Sequence, residues 1–165
     1  LLDCMAGSSS ETRIVSYNAA ISACGKSVQW PASMALLDAV ALASVEADAF
    51  TCNAAITACE KGTQWMLALA LLHLMISARI VSDTITFSAA ISACEKGGQW
   101  PWALQLLRVM GNSCVAANLL TYSAAISACE KGAQWLRALD LLVFMGGAAI
   151  VASTVTYNAA ISACE

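Results

Sequence analysis

The chain has 165 residues, 59% of them hydrophobic and 12% charged, with a formal net charge of −3 and a mean hydropathy of +0.70. That length suits one domain of ordinary size, the apolar content excludes a disordered tail, and the acidic balance excludes a protein that holds nucleic acid by bulk positive charge. Any contact with a polyanion must be local and patterned.

Leu1-Leu2 stand 35 residues before Leu36-Leu37. The chain therefore opens inside an element and reads as a piece of a longer array, with no targeting segment in view. The same step of 35 separates Cys24, Cys59, Cys94, Cys129 and Cys164, and likewise Trp30, Trp65, Trp100 and Trp135. Between Thr86–Trp100 and Thr121–Trp135, thirteen of fifteen residues are identical. Self-similarity at a fixed period marks a repeat architecture. Residues 1–13 are the tail of a preceding unit, 14–48, 49–83, 84–118 and 119–153 are complete units, and 154–165 are the first helix of another.

Each unit divides into two predicted helices of about 11 to 12 residues. The first opens at a hydroxyl residue suited to capping (Ser16, Thr51, Thr86, Thr121 or Thr156) and continues through Ala-Ala-Ile-(Ser/Thr)-Ala-Cys. It stops near Gly62, Gly97 and Gly132, which are suited to a left-handed helix exit; the first unit has Ser27 there. The second begins at a Gln-Trp pair, tolerates Pro31 or Pro101 in its first turn, and carries Leu-Leu pairs such as Leu71-Leu72. A lone hairpin cannot bury its apolar faces, so the units must stack on a shared core. Small residues such as Ala19, Ala20 and Ala23 let the first helices approach closely. The tryptophans are expected to fill the gap between the two helices of a unit.

The eight cysteines do not imply a disulfide scaffold, because a chain this long with such aliphatic runs needs no staples, and a reducing compartment is expected. Equivalent positions in stacked units lie about 10 Å apart, too far to pair or to share a zinc ion. No metal site is expected. Leu141 to Cys164 carries no charge, yet Gly146-Gly147, Ser153, Thr154, Thr156 and Asn158 interrupt it, so no membrane span is expected. Nothing departs from the repeat to supply convergent acids, bases or a nucleophile, and His73 has no periodic partner. The reading is a non-enzyme without cofactor or small-molecule substrate.

The 35-residue step, the (Ser/Thr)-(Tyr/Phe/Cys)-(Asn/Ser)-Ala-Ala-Ile opening, the lysine closing the first helix and the polar residue ending each unit resemble the pentatricopeptide repeat. The tetratricopeptide repeat has a 34-residue period and a Trp-x-x-Leu-Gly signature that is missing here. The resemblance implies an all-α fold, a right-handed α-solenoid of stacked antiparallel hairpins. It also implies binding of single-stranded RNA, one base per unit, in organellar RNA processing, stabilisation or editing, in a mitochondrion or chloroplast.

In the family's scheme the fifth and last residues of a unit read the base. Here the fifth residues are Asn18, Asn53, Ser88, Ser123 and Asn158, and the last are Asp48, Asp83, Asn118 and Ser153. Asn presents both a donor and an acceptor to a uracil edge, whereas the smaller Ser leaves room for a purine. The implied core is 5′-U-U-A-purine-3′. Val15, Phe50, Ile85, Leu120 and Val155 occupy the position that wedges between bases, and the bland alternative is that they are helix-entry residues tucked into the core. Lys26, Lys61, Lys96 and Lys131 occupy the position that meets phosphates. Their alternative is to complement the helix dipole, and the adjacent Glu60, Glu95 and Glu130 dilute the positive field. The family's usual connector proline is replaced by Ala47, Ser82, Ala117 and Ala152, which loosens the connector. The competing function is a protein-interaction scaffold of tetratricopeptide type.

Overall fold

The computed structural model describes residues 10–43 and 47–164; Leu1-Leu2, Cys4 and Glu165 lie outside the described residues. Within that range there are nine helices and no strand: α1 Ser10–Lys26, α2 Trp30–Leu42, α3 Ala49–Lys61, α4 Trp65–Ser77, α5 Thr84–Lys96, α6 Trp100–Asn112, α7 Leu119–Lys131, α8 Trp135–Gly147 and α9 Thr154–Ser162. The seven helices from α2 to α8 have 13 residues each, slightly longer than the sequence suggests. The helix α1 starts at Ser10, four residues ahead of the first unit boundary.

The odd helices pack on one another in series, and each even helix packs on the odd helix before it and the one after. Even helices stand further apart, leaving clefts such as that between α4 and α6 lined by Leu69, His73, Trp102 and Leu106. The tighter layer must lie on the inside of the curve. The array is an α-solenoid with odd helices on its concave side. Alanines make that approach possible, for Ala55, Ala90 and Ala125 are completely buried.

The core repeats with the sequence. Ile21, Ile56, Ile91 and Ile126 are fully buried on the odd helices, and Val40, Met75, Met110 and Met145 are buried on the even ones. Cys59, Cys94 and Cys129 join them as free thiols, and burial pushes all three up to about 11. They stay protonated near neutrality and act as small apolar groups. Among the described residues no helix is long and apolar enough to cross a membrane.

Three local expectations are corrected. The N-caps of α3, α5, α7 and α9 are Asp48, Asp83, Asn118 and Ser153, the last residues of the units, and not the hydroxyl residues three places on. Each cap side chain accepts from the backbone amide of Thr51, Thr86, Thr121 or Thr156.

Gly62, Gly97 and Gly132 also lie outside the left-handed region, with φ of −82, −81 and −93°. The left-handed residue is the next one, Thr63, Gly98 or Ala133. The amides of Gln64, Gln99 and Gln134 then bond back to Cys59, Cys94 and Cys129, closing the helix end. The three glycines are needed because a Cβ there would fall within 3.0 Å of Cδ1 of Trp30, Trp65 or Trp100. Those tryptophans therefore pack against the first helix of the next unit and do more than fill the gap within their own. Substituting Gly97→Ala should cost about 1–3 kcal/mol of unfolding free energy in urea. By contrast, Gly111→Ala, whose Cβ meets nothing within 4 Å, should be neutral or gain up to about 1 kcal/mol.

Among the described residues two buried hydroxyls, Ser33 Oγ and Ser82 Oγ, have no hydrogen-bond partner. Other units carry alanine at the same places: Ala68, Ala103 and Ala138 for the first, and Ala47, Ala117 and Ala152 for the second. Ser33→Ala and Ser82→Ala should each stabilise the fold by about 1 kcal/mol, additively in the double variant, as read from urea midpoints.

Candidate nucleic-acid interface

One face of each odd helix looks into the concave side. On α3 it carries Phe50, Asn53, Thr57 and Lys61, spaced three to four residues apart, which line a cleft with Gly25 and Lys26 of α1. Every wedge position is open: Val15, Phe50, Ile85, Leu120 and Val155 are 59–72% exposed. These are not core residues at the helix entry. They form apolar steps at fixed intervals along a surface where a soluble chain ordinarily places polar groups.

The structure brings the fifth and last residues of each unit together through a threonine of the next. Thr86 Oγ1 donates to Asn53 Oδ1 at 2.6 Å and lies 2.9 Å from Asp83 Oδ1. Thr51 stands in the same way between Asn18 and Asp48, whose side chains also meet each other at 3.4 Å. Ser88 lies 2.9 Å from Thr121 Oγ1, which donates to Asn118 Oδ1 at 2.8 Å. Ser123 lies 2.7 Å from Thr156 Oγ1, and Ser153 lies 2.9 Å from it.

All four threonines are completely buried. A hydroxyl has one proton and two lone pairs. The single proton is shared between the two neighbouring oxygens, and a lone pair accepts the backbone amide of the cap residue, Asp83 for Thr86 and Asn118 for Thr121. Local reading takes these residues for caps and misses that they join the pair. The visible signal is a hydroxyl at the third place of every unit.

The pairs differ in accessibility. Asn18 and Ser88 are only 9% and 4% exposed, whereas Asp48, Asp83 and Asn118 are open and Asn53 is half-buried. Asn158 is exposed, and among the described residues no threonine stands against it.

Partial burial pushes the Asp48 carboxyl up, but the Thr51 hydroxyl and amide and the Asn18 amide bond its ionised form and together hold it below the ordinary carboxylate value. Asp83 behaves alike. Burial raises it, and the Thr86 amide and hydroxyl, the Ile85 amide and Asn53 outweigh that. Both are carboxylates at neutral pH and can only accept hydrogen bonds.

The lysines divide into two kinds. Lys96 Nζ pairs with Glu60 Oε1 at 2.7 Å, and Lys131 pairs with Glu95. Each pair joins neighbouring units rather than the adjacent residues of one helix. Lys26 and Lys61 make no ion pair among the described residues. In that range no group of three or more His, Cys, Asp or Glu side chains is placed to hold a metal ion.

These features define a class, the α-solenoid of helical hairpins that presents a polar pair and an apolar step from each unit to its concave side. A family model for the PPR repeat matches residues 85–115. The other units keep the same 35-residue register as the matched one. No curated protein matches the chain in sequence.

Among solved structures, nuclear proteinaceous RNase P 2 (PRORP2) from A. thaliana has a TM-score of 0.78 at 16% identity, covering 90% of this chain and 34% of its own. The PPR domain of Arabidopsis thaliana protein-only RNase P 1 (PRORP1), solved in complex with tRNA, has a TM-score of 0.77 at 14% identity, covering 87% of this chain and 76% of its own. The pentatricopeptide repeat protein PPR10 of maize, in complex with an 18-nt psaJ RNA element, has a TM-score of 0.77 at 17% identity, covering 90% of this chain and 22% of its own. At these identities the likeness is one of fold.

The lowered pKa of Asp83 sets the sign of an acid effect. Its contribution to stability is complete above the unfolded-state value of about 4 and is lost as pH falls through the lower folded value. Asp83→Asn keeps a capping side chain of the kind Asn118 provides. It should change neutral stability by less than about 1 kcal/mol. The variant should also lose less thermal stability than the parent between about pH 5 and pH 3, measured by circular dichroism melts.

Proposed function

We propose that the concave side binds single-stranded RNA, one base per unit, with Asn18/Asp48, Asn53/Asp83, Ser88/Asn118 and Ser123/Ser153 as base-reading pairs. The observation that carries this reading is the recurring threonine bridge, which fixes two polar tips together between two exposed apolar steps. A base inserted there stacks on apolar faces above and below and meets a defined donor and acceptor set at its edge. Asn158 is the fifth residue of a further pair.

The preferred order is 5′-U-U-A-purine-3′. Ionised Asp48 and Asp83 accept the imino N–H of uracil, and the asparagines supply a donor for a carbonyl oxygen. Asn118 presents an amide beside the smaller Ser88, where a purine fits. Val15, Phe50, Ile85, Leu120 and Val155 are the stacking residues, and Lys26, Lys61, Lys96 and Lys131 lie on the phosphate side. The solved complexes of PRORP1 with tRNA and of PPR10 with an RNA element support this use of the fold. RNA processing, stabilisation or editing in an organelle is the setting the family resemblance implies.

A second reading, a protein-interaction scaffold, is favoured by the exposed apolar side chains of the outer helices, including Met66, Trp102, Val143 and Phe144. Fluorescence anisotropy with labelled RNA separates the two. The chain should bind a strand carrying UUA about tenfold more tightly than a scrambled strand, a difference of about 1.4 kcal/mol. Asn53→Ser combined with Asp83→Asn should move the second preference from U to A. Equal affinity for both strands removes the pair assignment, and absence of binding at low salt favours the scaffold.

A further inference from the structure

The cleft between α1 and α3 differs from its neighbours in charge. Further along the array each phosphate-side lysine is tied to a glutamate of the preceding unit: Lys96 to Glu60, with Ser92 Oγ also donating to that carboxylate at 3.1 Å. Lys131 is held by Glu95, to which Ser127 donates at 3.3 Å. One unit earlier, the residue equivalent to Glu60 and Glu95 is Gly25. Lys61 therefore reaches back to a position without a carboxylate. Thr57, which stands where Ser92 and Ser127 stand, turns its hydroxyl to the backbone oxygen of Asn53 at 2.8 Å.

The clefts differ accordingly. The first, of about 290 Å³, is lined by both Lys26 and Lys61 together with Asn53, Phe50 and Ile85. The cleft at the next step, of about 260 Å³, is lined by Glu60, Ser92 and Ser88 and by no lysine. The two sites have the same architecture, but the first is lined by lysines and the second by a carboxylate that Lys96 neutralises.

We infer that, among the described units, the α1–α3 cleft is the phosphate anchor, a site built on Lys61 opposite Gly25 that takes a backbone phosphodiester of the strand, while the later described steps contribute base contacts and little charge. This rests on the reading of the concave side as an RNA surface. An unpaired ammonium group can exchange its counterion for a phosphate, whereas a lysine on a glutamate must first give up that partner. Binding is then polarised along the chain, with affinity and salt dependence set at Gly25 and Lys61 and base preference spread over the units. Gly25 is the determining position. A Cβ there meets only ordinary contacts, Ala54 O at 3.5 Å and Ala58 Cβ at 3.6 Å, so a glutamate can be built in.

Affinity of the chain for a labelled UUA-containing strand, measured by anisotropy across a salt series, tests this. Lys61→Ala and Gly25→Glu should each weaken binding by at least about threefold and reduce the slope of log affinity against log salt by about 0.7. The double variant Glu60→Gln/Lys96→Ala, which removes the ion pair without changing the net charge of that step, should leave both nearly unchanged, and Glu60→Gln alone, which releases Lys96 on the surface, should strengthen binding. Equal losses from Lys61→Ala and from that double variant overturn the anchor and leave the RNA reading standing. So does unchanged or weaker binding on Glu60→Gln, or a silent Gly25→Glu in a chain with unaltered circular dichroism. Absence of binding by the unsubstituted chain at low salt overturns both.

Discussion

A threonine hydroxyl buried at the third place of a unit lies between the side chain that caps its own helix and the fifth residue of the preceding unit. The same group thus ends one connector, starts one helix and fixes the spacing between two units. A buried hydroxyl stripped of these partners costs about 1–3 kcal/mol. With Asp83 and Asn53 in place, Thr86 is fully satisfied in a position where nothing is exposed to water. The polar tips that face the concave side are ordered because the group beneath them is buried. A pair of side chains on a free surface loses rotamer entropy when it binds a ligand. Here the lattice of caps has already taken up part of that cost.

Tight packing of the odd helices gives this bridge its reach. Thr86 can touch Asn53 only because α3 and α5 lie against each other along alanines. The even helices carry bulkier residues and stand apart, and the indoles of Trp30, Trp65 and Trp100 slot against glycine at the end of the next odd helix. Close approach on one layer and wedging on the other bend the stack in a single direction. Curvature, pair geometry and the line of apolar steps follow from one distribution of small and large side chains.

The period, the hairpins and the positions of the polar pairs were legible because they depend on residues repeated at one fixed step. The misread features each have a second physical cause that local patterns cannot separate. Asp48 and Thr51 are both good capping residues three places apart, and only backbone geometry decides which is the cap and which closes back on it. Glycine serves equally for a left-handed turn or for want of a Cβ. At Gly62 the reason is Trp30, which lies far away in sequence. Glu60 and Lys61 are adjacent, yet Glu60 pairs across the stack with Lys96. The apolar wedge positions could not be separated from core because odd helices are rich in small and apolar residues on every side.

Burial in this array is a property of steps between units rather than of units. Ile56, Ile91 and Ile126 are completely buried, whereas Ile161, at the same place on α9, the last of the described helices, is 61% exposed. The fifth residues obey the same rule, for Asn53 is held by a threonine that belongs to the next unit and Asn158 meets none among the described residues. In a quasi-one-dimensional array the stability of a unit is its own folding term plus its interfaces. The polar pair sits in that interface term. A step that loosens loses core packing, cap and pair geometry together. The geometry of one polar pair is therefore coupled to the stability of that step and insulated from steps two units away.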